Sequence, residues 1–114
     1  KEAEEYDGPS IVVAYAPCIN HGFNMANTQP EEKKAVESGY WLLWRYNPEL
    51  KKEGKNPFIL DSRDPKLPVT EFLEGEKRYT ALERTFPQAV PDFRKKFDTY
   101  VKERWEFFKK LAGK

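Results

Sequence analysis

The chain has 114 residues, enough for one small domain. Apolar residues make up 39% and charged residues 34%, a balance that suits a thin layer or a piece of a larger unit better than a thick two-layer core. The 20 basic and 19 acidic side chains nearly cancel, which argues against the basic field of a nucleic-acid binder, and no apolar run approaches a membrane span.

Lys1–Tyr6 is acidic, reads as the tail of a helix and lacks the apolar stretch of a secretory leader. Gly8-Pro9 ends it. Ile11–Ala16 is a near-continuous apolar run, which predicts a strand covered on both faces as in a parallel sheet. Pro17 stops that strand, and Cys18 follows in a loop shaped by Gly22. Asn27 or Thr28 is placed to cap a helix over about Gln29 to Ser38. Pro30 suits its first turn, Glu31 and Glu32 its positive end, and Gly39 its stop. Tyr40–Tyr46, rich in aromatics, predicts a strand ended by Asn47-Pro48. A charged tip at Lys51–Asn56 leads to a return strand at Phe58–Leu60, completing a β-hairpin. Asp61–Pro68 reads as an extended linker, and Thr70–Glu74 and Arg78–Thr85 as short helices. Pro87 or Pro91 opens a last helix to about Ala112. Phe93, Phe97, Tyr100, Val101, Trp105, Phe108 and Leu111 recur on one face of it. The class is α/β.

Cys18 is the single cysteine, so no internal disulfide forms and a reducing compartment fits. Free cysteine is commonly buried, and taken alone Cys18 reads as a small buried side chain. Its place after Pro17, in a loop at the end of a strand, also makes it a ligand candidate. One thiolate cannot build a metal site, so most of any site that used it would lie outside this chain. Cys18-x-x-His21 has the spacing of half a zinc site, without a second pair. A Cys–His nucleophilic pair is the other chemical reading, and an ordinary loop histidine the plain one. The aromatic strand reads as core or interface before base stacking. The charged tip reads as a solvated loop. No glycine-rich phosphate cradle is present.

Four segments together resemble pyruvate:ferredoxin (flavodoxin) oxidoreductases, in the C-terminal part of the thiamine diphosphate-binding domain. They are YDGPSIVVAYAPCINHG (Tyr6–Gly22), EEKKAVESGYWLLWRYNPEL (Glu31–Leu50), GKNPFILDS (Gly54–Ser62) and FLEGEKRYTALERTFP (Phe72–Pro87). The last helix matches in character only, and Pro91 and Trp105 have no family assignment. The resemblance implies that residues 1–114 are one piece of a larger thiamine diphosphate-binding fold. The first strand would join the parent's sheet, with the hairpin and C-terminal helices as its outer layer. It implies oxidative decarboxylation of pyruvate with coenzyme A to acetyl-CoA. Electrons would pass through [4Fe–4S] clusters to ferredoxin or flavodoxin, with thiamine diphosphate and magnesium as further cofactors. Cys18 would be the late cysteine that joins three upstream ones around the cluster nearest the thiamine. The parent is expected to be a cytoplasmic homodimer, in contact with neither nucleic acid nor membrane.

The other cluster cysteines and the diphosphate and magnesium ligands have no counterpart here. The isolated chain is therefore expected to be inactive and to hold no cofactor, with Cys18 a free thiol and Ile11–Ala16 short of cover. The alternative from another class is a small stand-alone protein-interaction module built on the aromatic hairpin and the last helix.

Overall fold

The computed structural model describes residues 1–114. Six α-helices and one two-stranded sheet follow one another in the order α1 (Glu2–Glu5), α2 (Thr28–Glu37), β1 (Trp44–Tyr46), β2 (Phe58–Leu60), α3 (Val69–Glu74), α4 (Lys77–Thr80), α5 (Leu82–Thr85) and α6 (Val90–Leu111). Short 3-10 turns cover Ile19–His21, Met25–Asn27, Pro48–Glu53 and Pro87–Ala89. The α/β class stands, with the hairpin and the C-terminal helices where the sequence puts them.

Helix α2 ends as its sequence predicts. Gly39 takes φ +73°, a left-handed conformation that costs glycine little, and its N–H donates to the Val36 carbonyl. The start differs. Neither Asn27 nor Thr28 caps with its side chain; the Thr28 hydroxyl donates backwards to the Met25 carbonyl. Asn24 does the capping one turn earlier, accepting from the Ala26 N–H.

The hairpin is antiparallel, with Trp44 opposite Leu60, Arg45 opposite Ile59 and Tyr46 opposite Phe58. Its first strand is shorter than the Tyr40–Tyr46 run. Trp41 is still tied to the end of α2 through its N–H and the Ala35 carbonyl. Tyr40 points into the core, 4.3 Å from Phe72 between ring centroids. Ser62 extends the pairing irregularly, taking the Leu43 N–H on its hydroxyl while its own N–H donates to the Leu43 carbonyl. The charged tip is more ordered than a loop. Asn47 caps a 3-10 turn over Pro48–Glu53, and Gly54 closes it. Asp61–Pro68 has no regular structure, as its prolines require. Arg78–Thr85 forms two short helices divided at Ala81.

The run Ile11–Ala16 corrects the expectation of a strand. It is extended in none of the sheet's ladders, makes no backbone–backbone hydrogen bond and leaves Ile11 89%, Val12 77% and Val13 71% exposed. A strand exists only by pairing, and no neighbour reaches this one. The shortage of cover expected for its apolar face is present.

Two small cores hold the rest. Ala35, Val69, Phe72, Leu73 and Val101 form the first, packed by Tyr15, Tyr40, Trp41, Tyr79, Phe93 and Phe97. Leu42, Leu60 and Trp105 form the second under the hairpin, with Phe58, Phe108 and Ala112 against them. Helix α6 serves both, through Val101 in one and Trp105 a turn later in the other. Tyr100 and Leu111, assigned to its inner face by spacing, are substantially exposed.

Candidate functional site

The Cys18 thiol is exposed and unbonded. The reading of Cys18 as a buried small side chain is thereby overturned. The residue opens a 3-10 turn, Ile19–His21, whose first hydrogen bond runs from the His21 N–H to the Cys18 carbonyl at 3.0 Å. Gly22 ends that turn at φ +78°. A Cβ at Gly22 would stand 2.5 Å from the Cβ of Lys77, so the position needs glycine for both conformation and space.

Contacts meet the chain on both sides of the thiol. Pro17 is buried on one side of Cys18. Tyr15, the one residue of the Ile11–Ala16 run that is half-buried, donates its hydroxyl to Glu76 Oε1 at 3.0 Å. On the other side, His21 Nδ1 lies 3.7 Å from the same carboxylate oxygen. The His21 and Tyr15 rings stack, 6.2 Å between centroids at 23°. Glu76 itself is fully buried, and it also takes a charge-assisted hydrogen bond from Arg78 Nε. Arg78 continues the network to Tyr40, whose hydroxyl it reaches at 3.2 Å; Tyr40 and Tyr79 share a 2.9 Å hydroxyl contact.

The electrostatics follow from this packing. Burial, and then the hydrogen bond to Glu76, pushes the Tyr15 phenol well above its ordinary pKa. Burial and the Tyr40 hydroxyl do the same to Tyr79. Burial works against the Arg78 charge, yet the bond to Glu76 and the surrounding phenols raise its pKa on balance. Arg78 supplies the cation that a buried carboxylate requires.

Sequence reading found Cys18 and His21 but missed Glu76, Tyr15, Arg78 and the tyrosine pair. No spacing rule connects Tyr15 to Glu76 across 61 positions. The visible signal was a hydroxyl-bearing residue in an otherwise aliphatic run. His21 is more than a loop residue, because it packs against a buried carboxylate. No group of three or more His, Cys, Asp and Glu side chains is placed to hold a metal ion. Cys18 stands alone as an exposed thiol, with no second cysteine in the chain.

No protein-family model matches the chain. Curated proteins do match it, from end to end. A pyruvate:ferredoxin oxidoreductase of Moorella thermoacetica is 57% identical over 97% of the chain. The chain is homologous to one segment of the pyruvate:ferredoxin and pyruvate-flavodoxin oxidoreductases. A pyruvate-flavodoxin oxidoreductase of Enterobacter agglomerans is 50% identical over 98% of the chain. A mitochondrial NADP-dependent pyruvate dehydrogenase of Euglena gracilis is 39% identical over 96%. The chain spans about 10% of the length of the first two and 6% of the third.

Proposed function

We propose that this chain works as the late segment of a pyruvate:acceptor oxidoreductase and supplies one cysteine, Cys18, to a [4Fe–4S] cluster. The observation that carries the reading is the 57% identity to a pyruvate:ferredoxin oxidoreductase over 97% of the chain. The reaction is oxidative decarboxylation of pyruvate with coenzyme A to acetyl-CoA, with ferredoxin or flavodoxin as acceptor. Thiamine diphosphate, magnesium and the remaining cluster ligands belong to the larger protein, a cytoplasmic homodimer. In that protein Ile11–Ala16 gains neighbours in the sheet of a thiamine diphosphate-binding fold, which would satisfy its backbone and cover its apolar side chains.

The chemistry asked of this chain is limited. A cluster, when bound, supplies one-electron transfer at a potential set by its ligands and surroundings. The chain presents the Cys18 sulfur on a fixed turn. Pro17 and Gly22 shape the turn, and the start of α4 packs against it at Glu76 and Lys77. The isolated chain holds neither cofactor, because one thiolate of four leaves a cluster unsupported.

The test is a graft. The matching tenth of the Moorella thermoacetica relative is replaced by this chain, with and without Cys18→Ala. The chimera with Cys18 is expected to keep its iron content and activity. Cys18→Ala is expected to lose or convert one cluster, read by iron analysis and EPR. Unchanged iron and EPR signals in Cys18→Ala would remove Cys18 from the ligand set.

A further inference from the structure

We propose that Glu76 is a positioning residue for Cys18, setting the place of the thiol by a hydrogen bond to Tyr15 before it and by packing against His21 after it. The proposal rests on the reading of Cys18 as a cluster ligand for its significance, though not for its geometry. Tyr15 lies three residues before Cys18 and His21 three residues after. Tyr15 donates a hydrogen bond to Glu76 Oε1 at 3.0 Å, whereas His21 Nδ1 packs 3.7 Å from the same oxygen, beyond hydrogen-bond length and with no hydrogen-bond partner. The rings of Tyr15 and His21 stack on one another, which closes the loop into a ring of contacts. The next residue, Gly22, lies against Lys77, the neighbour of Glu76 in sequence. One short stretch at the start of α4 therefore holds positions 15, 21 and 22.

The cost of this arrangement marks it as more than packing. A fully buried carboxylate is among the most expensive groups to place in a protein interior. Here it is aimed at the turn that bears the only cysteine, with Arg78 as its counter-charge. Every other residue of the apolar run at Ile11–Ala16 except Tyr15 is exposed. The approach to the turn is thus held at Tyr15 and Pro17 alone, by the Glu76 hydrogen bond and by packing of the Tyr15 ring on the core. A thiolate that must meet a cluster assembled by other segments gains from being held in place beforehand, since less freedom is lost when the bond forms.

The lone cysteine makes the test direct. Cys18 of the full chain is coupled to a nitroxide, and its EPR line shape reports the motion of the turn. The unmodified sequence is expected to give a dominant slow component. Glu76→Leu and Tyr15→Phe should each at least double the mobile fraction. The double variant should add little to either single one, because both break the same link. Glu76→Gln, which keeps an acceptor for the Tyr15 hydroxyl, should retain more of the slow component than Glu76→Leu. Tyr79→Phe is the control: it alters the same polar network without touching residues 15–22, and should leave the line shape unchanged. Near-ultraviolet circular dichroism checks that each variant is folded. If Glu76→Leu fails to fold, Tyr15→Phe and Glu76→Gln carry the test.

A folded Glu76→Leu or Tyr15→Phe variant with an unchanged line shape would overturn the proposal. So would equal mobilisation by Tyr79→Phe, which would mean general loosening. Retention of iron by the Cys18→Ala graft would sink the ligand reading while leaving these line shapes to decide the role of Glu76.

Discussion

Glu31 shows what a single buried charge does when its partners are poor. It is 5% exposed, its Oε1 has no hydrogen-bond partner, and its nearest cation is Lys34 at 3.9 Å. Burial raises its pKa, Lys34 pulls it back, and the Glu76 carboxylate adds to the rise. The folded chain thus holds this proton more tightly than the unfolded chain does. Stability from this site is complete below the ordinary glutamate value and is lost as pH rises through the raised folded value. Glu31→Gln should therefore stabilise the chain at pH 7, by about 1 kcal/mol. The gain should shrink on acidification through the carboxylate range, as urea melts at pH 7 and pH 4 will show. The phenols follow the same sign at the other end of the scale. Tyr15 and Tyr79 keep their protons above the ordinary tyrosine value, so stability falls as pH rises past 10. In an absorbance titration at alkaline pH, two of the six tyrosines should ionise late, and Tyr15→Phe or Tyr79→Phe should each remove one of them. Cys18 was legible because a unique thiol after a proline is visible in any reading. The Glu76 carboxylate that meets Tyr15 and His21 was not, because long-range polar contacts leave no local pattern.

At the scale of elements, turns decide where α2 stops and where the hairpin begins. Gly39 holds φ +73°, and a Cβ there would sit 3.1 Å from Pro65 Cγ and 3.3 Å from Val101 Cγ1. Arg104 on α6 secures the same corner, donating to the carbonyls of Gly39 and Tyr40 at 2.6 and 2.5 Å. Gly39→Ala combines a left-handed conformation with tight contact, and should cost about 1–2 kcal/mol in a urea melt. Gly54→Ala has a similar φ and open space around it, so it should cost less and separates strain from crowding. The boundaries of α2, α6 and the hairpin were legible from glycines, prolines and apolar spacing, which are local signals. The shortening of the first strand was not. Tyr40 and Trp41 have strong strand propensity, but the contact with Phe72 and the link to Ala35 outweigh it.

For the molecule as a whole, the low apolar content becomes a shape. The chain measures 53 × 29 × 22 Å, with a radius of gyration of 17.0 Å. A compact chain of this length would have about 13 Å. Only 14 of 114 residues are buried, and the apolar ones among them form two cores of five and three residues that share α6. A thin layer or a piece of a larger unit was legible in composition, the elongation was not; nor was the loss of the strand at Ile11–Ala16, because the apolar run reports what a segment requires and not whether a partner is present. With Ile11, Val12 and Val13 uncovered and their backbone unpaired, the isolated chain should associate with itself as concentration rises. Light scattering across a concentration series should show growth in mass, and Val12→Lys with Ala14→Lys should suppress it. A constant monomer mass in both would show that the exposed run is not sticky.

The same uncovered run sets the chain's lifetime among proteases. A peptidase needs several residues of extended, unpaired backbone to thread its cleft, and Ile11–Ala16 offers them already drawn out. A cut there would leave Glu2–Glu5 connected to the hairpin by the Arg45–Glu2 ion pair, a surface contact too weak to retain a severed helix. The cores under α6 would survive as a trimmed remnant that still carries Cys18. Whatever covers that segment, self-association included, would thus also shield the chain from clipping.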